Sequence, residues 1–357
     1  MTKTTLDTYR LLGSSGLRVS PLALGTMTFG TEWGWGADER DARRIFDAYV
    51  ARGGNFIDTA NAYTGGTSER MVGAFAEGRR DQLVIATKYT GTTNPSDPNA
   101  GGNHRKSLVR AVEASLQRLR TEYLDVLYLH AWDATTPIDE LARAFDDLVR
   151  SGKLLHVAMS NVPAWQIARL ATYAQVRGTT PIVALQIEYN LIERTGEREL
   201  MPMARELGMA LVPWSPLASG VLTGKYSAKD LETGSGVGDP TGTRKNVAAA
   251  QGSLHARGLA IAEVVKVIAR EVDASPAQVA LAWVLHQPGV TSPIIGARTV
   301  AQLEDNLGAL AVELAPAHLA KLAEASAFEL GFPHEMLARP MTRTVMFGSA
   351  KVAGLTA

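Results

Sequence analysis

Short apolar runs and amphipathic segments alternate eight times along this chain of 357 residues. The runs that predict strands cover residues 21–25, 55–57, 83–87, 123–129, 154–159, 182–186, 209–212 and 292–295. The segments that predict helices cover residues 38–52, 68–76, 105–120, 138–151, 164–176, 197–207, 254–272, 276–287 and 300–310. Buried strands that alternate with helices pair in parallel, and eight such units close on themselves as a (β/α)8 barrel. The pattern therefore predicts an α/β protein with a TIM-barrel fold.

The alternative fold for the same pattern is an open, doubly wound parallel sheet. Such a sheet binds dinucleotides through a Gly-x-Gly-x-x-Gly turn after its first strand, and no such turn follows residues 21–25. Gly25 and Gly30 have the spacing that begins a phosphate-binding loop, but the Gly-Lys-Ser/Thr that would complete the loop is absent. The barrel is therefore the preferred prediction.

Segments at both ends extend the barrel of residues 21–310. Residues 9–20 hold two short apolar runs around a Gly-Ser-Ser-Gly turn, which predicts a β-hairpin. A Gly/Ser/Thr-rich insertion covers residues 227–252. Residues 311–357 hold an extra helix, 316–329, and an apolar tail that we expect to pack over the pocket mouth or on a neighbouring subunit. No change in composition marks a linker, so a single domain over residues 1–357 is expected.

Charge and cysteine content exclude several classes of function. Lysine plus arginine equals aspartate plus glutamate at 36 each, so nothing predicts binding to nucleic acid or to an anionic membrane. The absence of cysteine excludes disulfides, thiolate metal sites and thiol nucleophiles. No apolar run approaches the ~18 residues of a membrane span, and the first residues lack the apolar core of a signal peptide. We expect a soluble, cytoplasmic protein without a metal, whose partner is a small molecule; its oligomeric state stays open.

Four polar side chains follow three consecutive predicted strands, at the end where barrel active sites form. Asp58 follows residues 55–57 and Tyr63 comes five residues later; Lys88 and His130 follow the next two strands. Each alone has an ordinary interpretation, since an aspartate after a strand usually caps a turn and a lone histidine is usually structural. Their joint occurrence at one rim favours a reactive site.

The chemistry of this set suits proton donation to an oxygen. A free tyrosine has a pKa of about 10 and is a poor acid at neutral pH. We expect the Lys88 ammonium to lower the pKa of Tyr63, with Asp58 holding Lys88 in place. His130 can orient a substrate oxygen by hydrogen bonding. A general acid of this kind is what carbonyl reduction requires, and the hydride must come from a cofactor, because no side chain supplies one.

The rest of the rim suits a hydride carrier. Three side chains at the ends of the fifth and sixth strands offer hydrogen bonds: Ser160, Asn161 and Gln186. Trp214 offers a flat face for a flat ring. Gly296 and Arg298 open the helix 300–310, whose N-terminus can bind a phosphate with the guanidinium as a second partner.

From about residue 9 to residue 310 the chain resembles the aldo-keto reductase family. The resemblance is carried by Asp58-Thr-Ala-Asn-Ala-Tyr63, Thr87-Lys88, Leu129-His130, Gly152-Lys153, Ser160-Asn161, Gln186-Ile-Glu-Tyr-Asn190, Pro213-Trp-Ser-Pro-Leu217, Gly224-Lys225-Tyr226 and Ile295-Gly-Ala-Arg298, with Gln302 and Asn306. The Gly-Gly-Asn-His104 loop and residues 129–133 are closest to the aryl-alcohol-dehydrogenase-like branch, and more distantly to potassium-channel β-subunits.

This resemblance implies a barrel that binds NADP(H) in extended form. Tyr63 would be the general acid, Lys88 and Asp58 its activators, and His130 the orienting residue. The nicotinamide end would contact Gly25, Thr26, Met27, Ser160, Asn161, Gln186 and Trp214. The pyrophosphate would lie along Ser215, Leu217, Gly220 and Lys225, and the adenosine 2′-phosphate end along Gly296, Arg298, Gln302, Asp305 and Asn306. Asp305 stands where the family has a glutamate, and Arg244 and Lys245 in the insertion stay unassigned.

The preferred function at this stage is reversible NADPH-dependent reduction of an aldehyde or ketone. Three tryptophans predict an aromatic or apolar substrate pocket: Trp33, Trp35 and Trp132. One alternative is an NADP(H)-binding, redox-sensing regulatory subunit with little turnover. Another is an aldolase that forms a Schiff base on Lys88.

Overall fold

A hairpin closes one end of the molecule, which a computed structural model describes over residues 4–232 and 243–350. Strands β1 (Arg10–Leu11) and β2 (Arg18–Val19) pair antiparallel, as predicted. The turn between them lies against the starts of barrel strands, where a Cβ at Gly13 would collide with the backbone oxygen of Val183. The centre of the predicted insertion (233–242) and the end of the tail (351–357) lie outside the described residues.

Eight parallel strands form the body of the protein. They are β3 (Ala23–Gly25), β4 (Phe56–Asp58), β5 (Val84–Tyr89), β6 (Leu124–Leu129), β7 (Leu154–Ser160), β8 (Ile182–Glu188), β9 (Ala210–Trp214) and β10 (Ile294–Gly296). Strands β3 to β9 are neighbours in chain order, and β10 pairs with β3. The ring closes through a parallel bridge between Leu211 and Val290, with the Thr291 amide donating to Leu211 O at 2.8 Å. The predicted (β/α)8 barrel is confirmed, and the open sheet is wrong.

Helices cover the outside of the barrel. They are α1 (Glu39–Ala51), α2 (Thr67–Ala76), α3 (Arg105–Leu119), α4 (Ile138–Arg150), α5 (Ala164–Arg177), α6 (Leu200–Glu206), α7 (Ala228–Glu232), α8 (Arg244–Ala250), α9 (Ala256–Glu271), α10 (Pro276–His286), α11 (Val300–Gly308), α12 (Pro316–Ala325), α13 (His334–Ala338) and α14 (Pro340–Phe347). Most bounds match the predictions closely. The helix predicted for 197–207 begins late, at Leu200, because Pro202 lacks an amide proton and is tolerated only in a first turn.

The inside of the barrel is apolar at one end and polar at the other. Alternate strand residues face inward, and the lower layers hold mostly small or branched side chains, namely Ala23, Phe56, Val84, Ala86, Val126, Tyr128, Ala158, Ala184, Ala210 and Val212. Strand β4 runs one residue further than predicted, so Asp58 is its last residue and faces inward with Lys88 and Gln186. The polar side chains therefore collect at the carboxyl end of the strands.

The described part of the tail lies on the outer surface. The side chains of Phe332 and Met341 are 83% and 79% exposed. His334 contacts Glu199 near the start of α6, with 3.0 Å between Nε2 and Oε1. No described residue after Asn306 lines the cavity presented below, so placement of the tail over the pocket mouth is not supported. Among the described residues, no helix is both long and apolar enough to cross a membrane.

Candidate active site

Lys88 is the centre of the site. Its side chain is fully buried on β5, and Nζ donates hydrogen bonds to Asp58 Oδ1, to Thr59 O at 2.9 Å and to the Tyr63 hydroxyl at 3.2 Å. A buried ammonium is costly unless it is paired and hydrogen-bonded, and here a carboxylate, a carbonyl and a phenol supply those partners. The structure thus brings together three residues that the sequence had placed on one rim.

A tight turn positions Tyr63. Residues Tyr63–Gly66 form a 3-10 turn in which Thr64 has a φ of 47° and Gly66 a φ of 87°. The Thr64 hydroxyl donates to Phe29 O at 2.9 Å, which ties this turn to the loop after β3. Ser68, in the first turn of α2, donates to Thr26 O at 2.8 Å and so makes a second link between this turn and the loop after β3. The phenol is therefore fixed on both sides before it meets Lys88.

The net pKa of Tyr63 differs from the sequence prediction. Burial raises the pKa of Tyr63, Lys88 lowers it and Asp58 raises it, with a net value above the ordinary 10. The lowering by Lys88 is as expected, but burial and the charge of Asp58 together outweigh it. Burial also lowers the pKa of Lys88, although Asp58 and Tyr63 more than compensate and leave that pKa raised. At neutral pH the pair is therefore a phenol beside an ammonium, the state from which a proton can be donated.

The same contacts argue against the aldolase interpretation. Schiff-base formation requires a neutral amine that reaches the substrate. Lys88 has a raised pKa and a side chain with no exposure, and it does not line the cavity. Its ammonium is instead a fixed charge behind Tyr63.

His130 faces Tyr63 from the end of β6. The two rings meet edge to face with their centres 6.1 Å apart. Burial, and then the positive charge of Lys88, lower the pKa of His130 to about 3. The imidazole is therefore neutral at physiological pH and can offer an N–H to an oxygen at the Tyr63 hydroxyl.

Gln186 makes a contact that sequence reasoning did not foresee. Its Nε2 donates to Asp58 Oδ2 at 2.8 Å, from β8 on the far side of the barrel. Both oxygens of Asp58 are thus held, one by Lys88 and one by Gln186. The two-residue alternation of β8 predicts that Gln186 faces inward, but it cannot identify a partner 128 positions away in the chain.

A cavity of about 670 Å³ runs from Tyr63 towards α11. All but two of the predicted cofactor residues line its wall. Those present are Gly25, Met27, Asn161, Gln186, Trp214, Ser215, Leu217, Gly220, Lys225, Gly296, Arg298, Gln302, Asp305 and Asn306. The exceptions, Thr26 and Ser160, are fully buried. The Thr26 hydroxyl donates to Asp58 O at 3.0 Å, and Ser160 Oγ accepts a bond of the same length from Asn161 Nδ2. These two hydroxyls position the chain instead of facing the cavity.

Trp214 forms a fixed wall at the inner half of the cavity. Its Nε1 donates to Asn161 Oδ1 at 3.1 Å. Asn161 also donates from Nδ2 to His130 O at 2.9 Å, and its backbone has a φ of 53°, a conformation that asparagine tolerates better than most residues. A single asparagine thus links the indole plane to the strand that carries His130.

Three cations converge at the outer half of the cavity. Lys225, Arg244 and Arg298 line it, and no ion pair involves any of them within the described residues. Burial lowers the pKa of Lys225, and the charges of Arg244 and Arg298 lower it further. Asp305 is the carboxylate on the same wall, and it is bonded to Gln278, so the three positive charges outnumber it and form an anion site. Arg244 was left unassigned by sequence because the insertion could not be aligned, and α8 brings it back to the cavity.

Polar side chains of α11 shape this outer half. The amide of Arg298 donates to Gln302 Oε1 at 2.9 Å, and Asn306 Nδ2 donates to Gly296 O at 3.2 Å. Asp305 accepts from Gln278 Nε2 at 3.0 Å. These residues hold the turn that presents Arg298. Sequence reasoning missed other lining residues, among them Thr28, Ser219, Thr223 and Gln251.

The three tryptophans predicted for the substrate pocket do not line this cavity. Trp33 stands next to it, edge to face with Tyr63 at 6.3 Å between ring centres, and its ring also contacts Trp35 at 5.6 Å. Trp35 is buried beneath the Arg244 guanidinium, 4.8 Å away. Trp132 is partly buried against the apolar core. Only Trp33 adjoins the phenol directly.

A closed parallel barrel with a phenol, an ammonium and a carboxylate at its carboxyl end, beside a cavity that leads to three cations, has the layout of a barrel enzyme that binds an anionic ligand next to a proton donor. The profile of the aldo/keto reductase family matches residues 21–327. The chain belongs to the aldo-keto reductase family, as the resemblance indicated.

Fungal relatives align over nearly the whole chain. It is 37% identical to a norsolorinic acid reductase of Aspergillus flavus over 352 residues, which is 96% of this chain and 87% of the relative. It is 35% identical to an aryl-alcohol dehydrogenase [NADP(+)] of Phanerodontia chrysosporium over 349 residues, 93% of this chain and 89% of the relative. An aryl-alcohol dehydrogenase of Pestalotiopsis microspora is 36% identical over 94% of this chain and 86% of its own length.

Proposed function

We propose that this protein catalyses the reversible, NADPH-dependent reduction of an aldehyde or ketone to the alcohol, with Tyr63 as the general acid. The observation that carries the proposal is the contact of the Tyr63 hydroxyl with the buried Lys88 ammonium, 3.2 Å apart at the wall of the cavity. A protonated phenol beside a fixed positive charge suits an oxygen that gains negative charge.

The residues of the cavity fit a phosphorylated nicotinamide nucleotide. Trp214 offers a flat wall near Tyr63, and Lys225, Arg244 and Arg298 supply positive charge at the other end. Gly220, with a φ of 90°, leaves room for Lys225, whose Nζ would lie 2.7 Å from a Cβ there. Bound NADPH would supply the hydride. The name of the Phanerodontia relative, which includes NADP(+), supports the same cofactor here.

The chain's own residues divide the proton chemistry between them. Tyr63 donates its proton to the carbonyl oxygen of the substrate. Lys88 stabilises the phenolate that remains, because opposite charges attract strongly in a site shielded from water. Neutral His130 offers an N–H to the same oxygen and so orients the carbonyl. Asp58 keeps Lys88 in place and exchanges no proton with the substrate.

The substrate is proposed to be an aromatic or apolar carbonyl compound. Trp33 lies next to the cavity, edge to face with Tyr63, and so places an aromatic ring beside the proposed proton donor. The Phanerodontia relative is named an aryl-alcohol dehydrogenase, and an aromatic alcohol agrees with this choice.

A panel of aromatic and aliphatic aldehydes and ketones, assayed by NADPH oxidation, tests the proposal. We expect turnover with aromatic aldehydes, quenching of tryptophan fluorescence on NADPH addition, and loss of turnover in Tyr63→Phe. Tyr49→Phe is the matched control, because Tyr49 is a buried tyrosine whose hydroxyl donates to Leu22 O, outside the cavity. Tight NADPH binding without turnover across the panel would instead favour a redox-sensing regulatory subunit. No quenching and no turnover would contradict both.

A further inference from the structure

Tyr128 lies inside the barrel against the catalytic pair. On β6 it pairs in register with Lys88 of β5 and with Ala158 of β7, and its side chain is fully buried. Lys88 Nζ is 5.9 Å from the centre of the Tyr128 ring. The same interior cluster contains Ala86 and Ala184, whose small side chains leave space for one large ring. The barrel is thus built to hold a tyrosine next to Lys88.

The hydroxyl of Tyr128 has no hydrogen-bond partner among the described residues. A buried hydroxyl without a partner costs free energy that a phenylalanine of the same shape would avoid. The groups that act on this hydroxyl are those of the site: burial raises the pKa of Tyr128, and the charge of Asp58 raises it further. The Gln186 side chain lowers this pKa because it approaches the hydroxyl, although the approach does not have the geometry of a hydrogen bond. Tyr128 is in register with Lys88, and Lys88 and Gln186 both bond to Asp58, so the ring of Tyr128 lies beside this group of polar side chains.

Gln186 has two roles that compete for one amide. Its Nε2 donates to Asp58 Oδ2 at 2.8 Å, and its side chain also lines the cavity together with Tyr63 and Trp214. Under the function proposed above, that part of the cavity receives the nicotinamide carboxamide. An amide that turns towards this group leaves Asp58 Oδ2 without a donor, at a buried position where a missing donor is costly.

We propose that Tyr128 is a positioning residue: when Gln186 turns to the cofactor, the Tyr128 hydroxyl becomes the hydrogen-bond donor to Asp58 Oδ2. The carboxylate then stays fixed on Lys88 throughout the reaction. The part of this proposal that concerns the turn of Gln186 rests on the proposed function, whereas the ability of Tyr128 to replace the amide at Asp58 does not.

A double-mutant cycle without cofactor tests that replacement directly. Gln186→Leu removes the amide donor permanently, and Tyr128→Phe is made in its presence and absence. The titration of Tyr63 is followed by the ultraviolet difference spectrum of the phenolate. Tyr63→Phe in each background serves as the blank. The groups that face Tyr63 are Lys88, Asp58 and His130, and the charge of Asp58 raises the pKa of Tyr63. A carboxylate whose second oxygen has lost its donor exerts this effect more strongly. We therefore expect Tyr128→Phe to raise the Tyr63 pKa by about one unit, a tenfold change, in the Gln186→Leu background.

In the background that retains Gln186, and without cofactor, Tyr128→Phe should leave the Tyr63 titration unchanged. Equal shifts in both backgrounds, or no shift in either, would overturn the proposal. Thermal melts give a check on folding: Tyr128→Phe should melt at or above the parent temperature because it removes an unpartnered hydroxyl. Tyr49→Phe, which removes bonds to Leu22 O and Phe56 O, should melt lower.

With NADPH and an aldehyde substrate, Tyr128→Phe should move the basic limb of the kcat profile to higher pH. It should also lower kcat by at most about tenfold, because a weaker general acid gives a slower reaction and the rate changes by less than the acid's equilibrium constant. Tyr49→Phe should leave the limb in place. If the basic limb of Tyr128→Phe stays where it is in the parent enzyme, Tyr128 does not replace Gln186 as the donor to Asp58 during turnover. If no carbonyl compound is reduced at all, the proposed function fails, and the cofactor-free titration still decides whether Tyr128 can serve Asp58.

Discussion

The Lys88 ammonium lies 3.2 Å from the Tyr63 hydroxyl and is bonded on its other side to Asp58. One nitrogen thus serves two purposes, since it neutralises a carboxylate in the barrel interior and places positive charge beside the phenol. The two purposes can be separated by experiment, because one affects the free energy of unfolding and the other affects turnover.

Replacement of Tyr63 by phenylalanine should remove the proton donor and little else. We expect kcat for carbonyl reduction to fall by about 10²–10⁴-fold, the usual contribution of a general acid. The phenylalanine ring still packs against His130. The dissociation constant for NADPH, measured by tryptophan quenching, should therefore change less than about twofold. A kcat within the error of the parent enzyme would contradict the role of Tyr63.

Replacement of Lys88 by methionine should destabilise the fold as well as the reaction. It leaves the Asp58 carboxylate buried without its charge partner, and breaking a buried pair in this way costs about 3–5 kcal/mol. The double replacement Lys88→Met/Asp58→Leu removes both charges and should recover part of that loss. Urea unfolding of the three proteins measures these differences. Equal destabilisation of Lys88→Met and the double variant would argue against a coupled pair.

The stability of the protein should depend on the protonation of His130 at acid pH. The folded pKa of His130 is lowered from 6.5 to about 3, so the unfolded chain binds a proton first as the pH falls through this range. The contribution of His130 is complete above pH 6.5 and declines between pH 6.5 and about 3, with a slope of at most about 1.4 kcal/mol per pH unit. Solvent in the cavity screens the imidazole and makes the slope smaller than this maximum.

Urea unfolding at several pH values isolates this effect by comparison with His130→Gln. The variant should have a shallower decline below pH 6.5. Parallel curves for the two proteins would contradict the assignment. The comparison with His130→Gln is needed because burial also lowers the pKa of His156, which therefore adds its own pH dependence to the stability of both proteins.

Replacement of Arg298 by alanine should weaken NADPH binding far more than NADH binding. A hydrogen bond to a charged group contributes about 1.5–3 kcal/mol, so the dissociation constant for NADPH should rise by roughly 10–100-fold. Because Arg244 lines the same end of the cavity, Arg244→Ala should have an effect of the same sign. Arg169, exposed on α5 away from the cavity, is the control. Equal losses for both cofactors would exclude a contact with the 2′-phosphate.

Much of the fold and the identity of the central residues follow from local pattern. Eight repeats of an apolar run and an amphipathic helix leave few closed solutions, and strand ends mark the rim where Asp58, Lys88 and His130 occur. Periodicity works here because strand and helix geometry fix which neighbours share a face. The predicted bounds of most strands and helices agree with the structure for the same reason.

Other features depend on distances between parts of the chain that no local pattern encodes. The bond from Gln186 to Asp58 crosses the barrel, and Arg244 reaches the cavity only because α8 folds back from the insertion. The hydroxyls of Thr26 and Ser160 are buried and bonded within the protein, which their positions on the rim could not indicate.

By itself, the sequence determined that the chain forms a parallel barrel with a phenol, an ammonium, a carboxylate and an imidazole at its carboxyl end. Only the tertiary structure decided the protonation of that set. Burial is the largest influence on the pKa of Tyr63 and, together with Asp58, raises it above its ordinary value despite Lys88, and the pKa of His130 falls to about 3. The physical reason is that desolvation depends on how much water closure of the barrel removes, which is a property of the packed molecule and not of any segment.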